Sequence, residues 1–156
     1  MLRITKLTDY AIVVLAHLVR TDGQHLSVST ARDLAERSRL PAPTVSKILK
    51  ELARAGLVES ERGLAGGYRL ARAATAITVA DVVKAVEGPI AVTECSRDGE
   101  SCDYTGHCPV ESNWVKINHA IFGALENITL EEMSRPLGPR LVQLSAKPHP
   151  TNTHLS

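Results

Sequence analysis

The order of local signals between residues 29 and 70 constrains the fold of this 156-residue chain more than any other feature. Ser29 or Thr30 can cap a short helix, ARDLAERS, after which LPAP at 40–43 breaks the chain. A second helix, TVSKILKELARAG, begins at Thr44, and the glycine-rich ERGLAGG then separates the strand patterns LVES and YRL. Two helices with a tight break, followed by a hairpin, predict a winged helix-turn-helix.

Helices are also predicted on both sides of this unit. Residues 6–20 form a first helix with Thr5 or Thr8 as its cap, and its apolar run from Tyr10 to Val19 predicts burial on most sides. VADVVKAVEG forms a further helix that closes the winged unit near residue 88. The predicted fold class is mainly α with a small β-hairpin.

The polar residues of this unit suggest a DNA-reading surface. The outward face of the helix that follows the break carries Thr44, Ser46, Lys47, Lys50 and Arg54, and Arg62 lies near the tip of the hairpin. In a winged helix-turn-helix these positions face the major groove, and the minor groove or phosphates, respectively. The alternative is an ordinary solvated helix face and an ordinary exposed loop charge.

Charge is divided between the two halves of the chain. Residues 1–87 hold 13 Lys/Arg and 9 Asp/Glu, a balance of +4, whereas residues 88–156 hold 5 and 8, a balance of −3. The first half can approach phosphates. Aromatic residues make up 3% of the chain, which disfavours stacking on single-stranded bases and favours duplex DNA. No apolar run suits a membrane span and no signal-peptide cleavage site is present, so a cytoplasmic location is predicted.

Three cysteines lie close together in a polar loop: Cys95, Cys102 and Cys108. An odd number argues against a disulfide framework, and three thiolates at this spacing can hold one soft metal centre. A Cys3His zinc site completed by His107, and three metal-free redox-active thiols, are the alternatives. The loop has no glycine-rich phosphate cradle and no evident acid–base pair, so the chain is predicted not to be an enzyme.

A long helix is predicted after Pro109. Its apolar positions are spaced by three and four residues, which is typical of a coiled-coil seam. They are Val110, Trp114, Ile117, Ile121, Leu125 and Ile128. Such a helix would pair with its twin in a homodimer; the alternative is packing against its own winged domain.

The predicted organisation therefore has four parts. A winged helix-turn-helix domain spans 1–88, a cysteine loop spans 89–108, a dimerisation helix with a short final helix, LEEMS, spans 109–134, and a proline-containing tail predicted to be disordered spans 135–156.

Several of these segments together resemble the IscR-like winged-helix regulators, most closely the regulators of SUF-system iron–sulfur cluster assembly. They are RITKLTDYAIVVLAHL, ERGLAGGYRLAR with ITVADVVKAVEG, the three cysteines, and W…LENITLEEM. The resemblance implies a homodimeric transcription factor, a repressor of iron–sulfur assembly genes, that binds an iron–sulfur cluster and a palindromic double-stranded DNA operator. It also implies that Cys95, Cys102 and Cys108 are cluster ligands, that 44–55 enters the major groove, and that Arg62 enters the minor groove.

The fourth ligand differs between members of this group. IscR-type members carry a histidine where this chain has Glu111, and NsrR-type members use an aspartate at the position of Asp9. Both residues are candidates, with Asp9 favoured over Glu111, and the choice between a 2Fe–2S and a 4Fe–4S cluster stays open.

Overall fold

Six α-helices and a two-stranded hairpin make up most of the part of the chain that the computed structural model describes, which is residues 4–19, 28–63, 66–93 and 107–135. The elements follow in the order α1 Lys6–Ala16, α2 Ala31–Ser38, α3 Ala42–Arg54, β1 Val58–Glu61, β2 Gly67–Leu70, a 3₁₀ turn Ala74–Ala76, α4 Val79–Glu87, α5 Glu111–Glu126 and α6 Leu130–Ser134. The predicted fold class, mainly helical with one small β-hairpin, is confirmed.

Two helix boundaries differ from the predicted ones. The helix α3 begins at Ala42 rather than Thr44, because Pro43 falls in the first turn, where its missing N–H is not needed. The helix α1 ends at Ala16 rather than residue 20, because its last turn tightens: the Leu18 N–H donates to the Leu15 carbonyl, three residues back, at 2.9 Å.

Threonine caps four of the helices that the structure describes. The capping residues are Thr5, Thr30, Thr78 and Thr129. In the last three, the carboxylate at the third helical position also accepts from the threonine N–H, which completes a capping box. The bonds from the side chain and backbone of Thr30 hold the pKa of the Asp33 carboxyl below its ordinary value. These short-range bonds explain why most helix starts were predictable.

The end of α3 fixes where the hairpin begins. Gly56 adopts φ +71° and donates its N–H to the Ala53 carbonyl, while the Leu57 N–H donates to the Leu52 carbonyl at 2.9 Å. This pair of bonds is a Schellman motif, and the positive φ is the conformation that glycine adopts at little cost. The chain leaves the helix and enters β1 within two residues.

A third backbone segment pairs with the hairpin, which the sequence did not suggest. β1 and β2 pair antiparallel with Val58 opposite Leu70, and Ser29 adds a further backbone bridge to Tyr68 on the other side of β2. A Cβ atom on Gly67 would lie 2.6 Å from the Ser29 carbonyl oxygen, so this close approach requires glycine. Ser29, two residues before α2, therefore pairs with β2 of the wing.

The core has a main and a smaller cluster. The main cluster joins the apolar faces of α1 to α4, both strands and α6, including Leu15, Ile48 and Leu130, which are each at most 2% exposed. The smaller cluster lies between α4 and α5 and contains Val83 and Ile90. A carboxylate also joins the ends of two helices, since Glu87 at the end of α4 accepts hydrogen bonds from Thr5 and Thr8 in α1 and its cap.

One face of α5 is attached to the winged unit. Phe122 and Leu125 pack on the smaller core cluster, and the Lys84 ammonium lies 4.3 Å from the centre of the Phe122 ring. The Asn118 side-chain oxygen accepts from the Val92 N–H at 3.1 Å. Residue 92 and the middle of α5 are therefore joined, and the helix is oriented by contacts within its own chain.

Arg39 is the one residue other than glycine with a positive φ in the part of the chain that the structure describes. It ends α2 in the left-handed conformation, φ 57° and ψ 29°, which costs an L-residue about 1–2 kcal/mol. We expect Arg39→Gly to raise the free energy of unfolding by about 0.5–1 kcal/mol, after the greater chain entropy of glycine is allowed for. Urea denaturation followed by circular dichroism measures this change.

The matched control is Arg32→Gly, which makes the same exchange at an exposed helical position of α2. The free energy of unfolding of that variant should fall by about 1 kcal/mol. An Arg39→Gly protein that is destabilised as much as Arg32→Gly would contradict the predicted strain.

Candidate nucleic-acid interface and thiol segment

The helix α3 is oriented by its apolar stripe. Four of its side chains are fully buried in the main core: Val45, Ile48, Leu49 and Leu52. Lys47 and Lys50 lie on the other side and are exposed. Because the buried residues fix the rotation of the helix, the two lysines project away from the domain as the sequence predicted.

Thr44 and Ser46 are less exposed than the lysines. Both are half-buried, and Ser46 lines an open groove of about 610 Å³ between α2 and α3 together with Ala35 and Leu40. They lie at the edge of the polar face, whereas Lys47 and Lys50 lie in the middle of it. The four predicted helix residues are thus brought onto one side of α3.

The cations of this surface fall into two groups. Lys47, Lys50 and Arg62 make no ion pair with any residue that the structure describes, and α3 has no acidic residue in its first turn. Arg54 is different, because it pairs with Glu51 of the same helix at 2.8 Å. The unpaired cations are available to phosphates without first breaking a bond within the protein.

Arg37 serves the fold rather than this surface. Its guanidinium donates to the Ser29 hydroxyl at 2.6 Å and to the His17 carbonyl at 3.4 Å. These bonds connect α2 with the end of α1 and with Ser29, the residue that pairs with β2. Burial, and then the Arg37 charge, hold the pKa of the His17 imidazole below its ordinary value.

Arg62 lies where β1 ends. It is exposed and directly follows Glu61, the last residue of the strand. The tip beyond it includes Leu64 and Ala65, which lie outside the described residues. The structure therefore places Arg62 on the outer part of the wing, as the sequence predicted.

Sequence reasoning did not single out Arg39. Arg39 is exposed at the turn that connects α2 to α3, and it makes no ion pair within the described part of the chain. Nothing in the motif ERSRLP reveals a left-handed backbone, although a lone arginine between two helices that flank a break was a signal that could have been used.

A second exposed surface lies along the first half of α5. Val110, Trp114 and Ile117 are large apolar residues with exposed fractions of 45%, 37% and 43%. Ile121 continues the stripe and is half-buried. The predicted seam therefore divides: Leu125 packs within the chain, while the earlier residues, and Ile128 at its end with an exposed fraction of 40%, stay uncovered in the single chain.

Cys108 is the one predicted thiol that falls within the described residues. It is a free, half-buried cysteine just before α5, and its carbonyl accepts from the Glu111 N–H at 3.4 Å. Cys95 and Cys102 lie outside the described residues. Where the structure is described, no group of three or more His, Cys, Asp or Glu side chains is arranged to hold a metal ion.

The two candidates for a fourth ligand occupy different positions. Glu111 is half-buried in the first turn of α5, one turn beyond Cys108, whereas His107 is exposed beside that cysteine. Asp9 is exposed on α1, and it does not cap the helix, because Thr5 does. The structure thus brings Glu111 and Cys108 together in one turn and leaves the Asp9 carboxylate facing away from the core of its own chain.

A helix-turn-helix with unpaired cations on its second helix, followed by a β-hairpin, defines a winged helix-turn-helix protein of the DNA-binding class. Comparison with known proteins identifies its family. The Rrf2 family, described as an iron-dependent transcriptional regulator, matches residues 4–136, and the chain belongs to this family. It is a transcriptional regulator and not an enzyme. No helix among the described residues has the length and apolar character that spanning a bilayer requires.

Relatives and solved structures agree with this identification. The chain is 36% identical over 133 residues to protein aau3 of Rhizobium meliloti (strain 1021), which covers 85% of this chain and 84% of that protein. The structure of CymR, the global cysteine regulator of B. subtilis, is 27% identical with a TM-score of 0.67, covering 86% of this chain and 97% of that chain. IscR of T. potens is also 27% identical, with a TM-score of 0.61 and 85% of each chain covered.

Proposed function

We propose that this protein is a homodimeric repressor of iron–sulfur cluster assembly genes, acting in the cytoplasm, whose operator binding responds to an iron–sulfur cluster held by Cys95, Cys102 and Cys108. The observation that carries the proposal is the position of Cys108. This free thiol lies just before α5, the helix that packs on α4 of the winged unit and presents an uncovered apolar stripe. A change at Cys108 would therefore act at the start of α5, the helix that carries the proposed dimer seam and packs on α4.

The donor set fits such a cluster in its chemistry. Three thiols within fourteen residues are soft ligands of the type that binds iron–sulfur clusters, and the described thiol is half-buried and not paired in a disulfide. Asp9 or Glu111 would supply an oxygen as the fourth ligand. When bound, an iron–sulfur cluster supplies a centre that responds to iron supply and oxidants.

The protein's own residues would carry out the DNA recognition. Lys47 and Lys50 would meet the major groove or its phosphates from α3, with Thr44 and Ser46 at the edge of the contact. Arg62 would reach the minor groove or a phosphate from the wing. Two copies joined along α5 would place two α3 helices for the half-sites of a palindromic operator.

Arg62→Ala is expected to weaken operator binding by about 1–3 kcal/mol if the guanidinium reads a groove. If the guanidinium contacts a phosphate instead, the slope of the logarithm of the binding constant against the logarithm of salt concentration should become shallower by about one. Titration of a duplex selected by the wild-type protein from a random pool, at several KCl concentrations, measures both effects.

Arg135→Ala is the control, because Arg135 is an exposed arginine at the end of α6, outside the predicted DNA-reading residues, and is paired with Glu131. It should bind the duplex as the wild type does. An Arg62→Ala dimer with unchanged affinity and salt dependence would show that the wing does not contact DNA.

The visible spectrum of anaerobically purified protein tests the cofactor. We expect a brown protein whose visible absorbance is lost on exposure to air or to an iron chelator, with a parallel change in affinity for the selected duplex. A colourless protein that holds neither iron nor sulfide after anaerobic reconstitution would refute the cluster.

A second candidate function is a thiol- or zinc-based sensor on the same fold. It is favoured by the similarity to CymR, which is described as a global cysteine regulator. Cys108 with His107 beside it could contribute to a zinc site, or the cysteines could act as a redox switch. Zinc bound in place of iron, or DNA binding that follows thiol oxidation in metal-free protein, would support this candidate.

A further inference from the structure

The stem of the wing, formed by β1 and β2, contains an ion-pair network that the DNA contact does not by itself require. Glu59 and Glu61 lie on the same face of β1, and Arg69 of β2 is directly opposite Glu59 in the register. The Arg69 Nη2 atom lies 2.7 Å from a Glu59 carboxylate oxygen, and its Nε atom lies 2.7 Å from a Glu61 carboxylate oxygen. One guanidinium thus bridges two carboxylates.

The contact with Glu61 is ionic rather than a well-aligned hydrogen bond. The Arg69 Nε atom is shielded from solvent and makes no aligned hydrogen bond, so the nearby carboxylate is what compensates its charge. Both carboxylates are partly exposed, with half or nearly half of each side chain accessible. Glu59 and Glu61 therefore present their negative charge at the surface of the wing.

The charge of the wing is unusual for a DNA-contacting element. From Val58 to Leu70 the charged residues are Glu59, Glu61, Arg62 and Arg69, so the hairpin has no net charge. Arg62 is the next residue after Glu61, and adjacent Cα atoms are about 3.8 Å apart. Glu61 is therefore the carboxylate nearest in sequence to the proposed phosphate contact, at a separation comparable with the Debye length of about 8 Å at physiological salt.

We propose that Arg69 is a positioning residue of the DNA interface: it offsets one of the two negative charges of Glu59 and Glu61 and holds both carboxylates on the wing stem, so that Arg62 can approach the DNA backbone. Without Arg69, the stem would carry two uncompensated negative charges beside the phosphates, and they would oppose the contact of Arg62. This role rests on the proposed wing contact and assigns a function to a residue that does not itself touch DNA.

The decisive experiment compares Arg69→Ala with the triple variant Arg69→Ala/Glu59→Gln/Glu61→Gln. Binding to the selected duplex is measured between roughly 50 and 200 mM KCl. The Arg69→Ala protein should bind the duplex about fivefold more weakly near physiological salt. It lacks one positive charge, and by the salt dependence of duplex binding one charge changes the affinity by about this factor. The triple variant should recover at least wild-type affinity, because the repelling carboxylates are gone.

Two results would overturn the inference. Unchanged affinity of Arg69→Ala would mean that the carboxylates do not influence the contact. A triple variant as weak as Arg69→Ala would mean that Arg69 contacts DNA directly or that its ion pairs maintain the hairpin. Thermal unfolding followed by circular dichroism compares the folding of both variants, so that weak binding caused by a disrupted hairpin is recognised.

Two further variants separate this inference from the proposal on which it rests. If Arg62→Ala binds as the wild type does, the wing contact fails, and the role of Arg69 fails with it. If Arg62→Ala weakens binding while Arg69→Ala does not, only the role of Arg69 is wrong. Arg135→Ala removes the same charge from an exposed ion pair on α6 and should leave binding unchanged.

Discussion

Ile117→Glu is expected to convert the protein from a dimer to a monomer and to lower its affinity for the selected duplex at least about hundredfold. Ile117 is 43% exposed in the single chain, between Trp114 and Ile121 on the uncovered stripe of α5. In the proposed dimer each copy would bury this side chain against its twin, and a buried unpaired carboxylate costs several kcal/mol. Since about 1.4 kcal/mol is a factor of ten, dimer association should fall by orders of magnitude.

Sedimentation equilibrium and duplex titration measure the two effects separately. Lys116→Glu is the matched control, because it places the same carboxylate on an exposed polar position of α5 next to Ile117. That variant should remain dimeric. An Ile117→Glu protein that sediments as a dimer with normal DNA binding would show that the stripe is not the interface between copies.

Cys108→Ala is expected to remove nearly all visible absorbance from anaerobically purified protein. With one of three thiolates lost, only two soft ligands would remain, and an iron–sulfur cluster is normally held by thiolates at most of its corners. Iron and sulfide content, measured beside the absorbance, report the loss directly.

Asp9→Ala and Glu111→Ala identify the fourth ligand in the same experiment. We expect Asp9→Ala to retain less cluster and to lose it faster in air, with Glu111→Ala closer to the wild type. The Asp9 carboxylate is exposed and makes no hydrogen bond or ion pair with the described residues, so its removal should not disturb the single-chain fold. Rapid cluster loss from Glu111→Ala alone would reverse the assignment and favour the residue that the structure places one turn from Cys108.

The elements that the sequence predicted well are those stabilised by neighbouring residues. The helix ARDLAERS and the final helix LEEMS have the predicted bounds, because Thr30 and Thr129 cap them through residues three positions away. The hairpin followed from its glycines and its two short strand patterns. Lys47 and Lys50 were predictable because the apolar spacing of α3 fixes which side of the helix is outward.

The features that sequence reasoning missed depend on residues far apart in the chain. Arg39 has a left-handed backbone because the connection between α2 and α3 requires it, and no residue-type preference of arginine indicates this. Arg69 was identified only as part of a strand, whereas the register of the hairpin places it between Glu59 and Glu61. The pairing of Ser29 with Tyr68 likewise has no local signal.

The sequence by itself determined the order of the elements, the outward face of α3 and the presence of three thiols with a basic first half. The tertiary structure alone decided how α5 is used. Its apolar stripe was predicted as one seam, but Leu125 packs on α4, together with Phe122 from outside the predicted seam, while Trp114 and Ile117 stay exposed. Periodicity shows that a helix has an apolar side, but not which neighbour covers each part of it, because that depends on contacts between distant segments that form only when the chain folds.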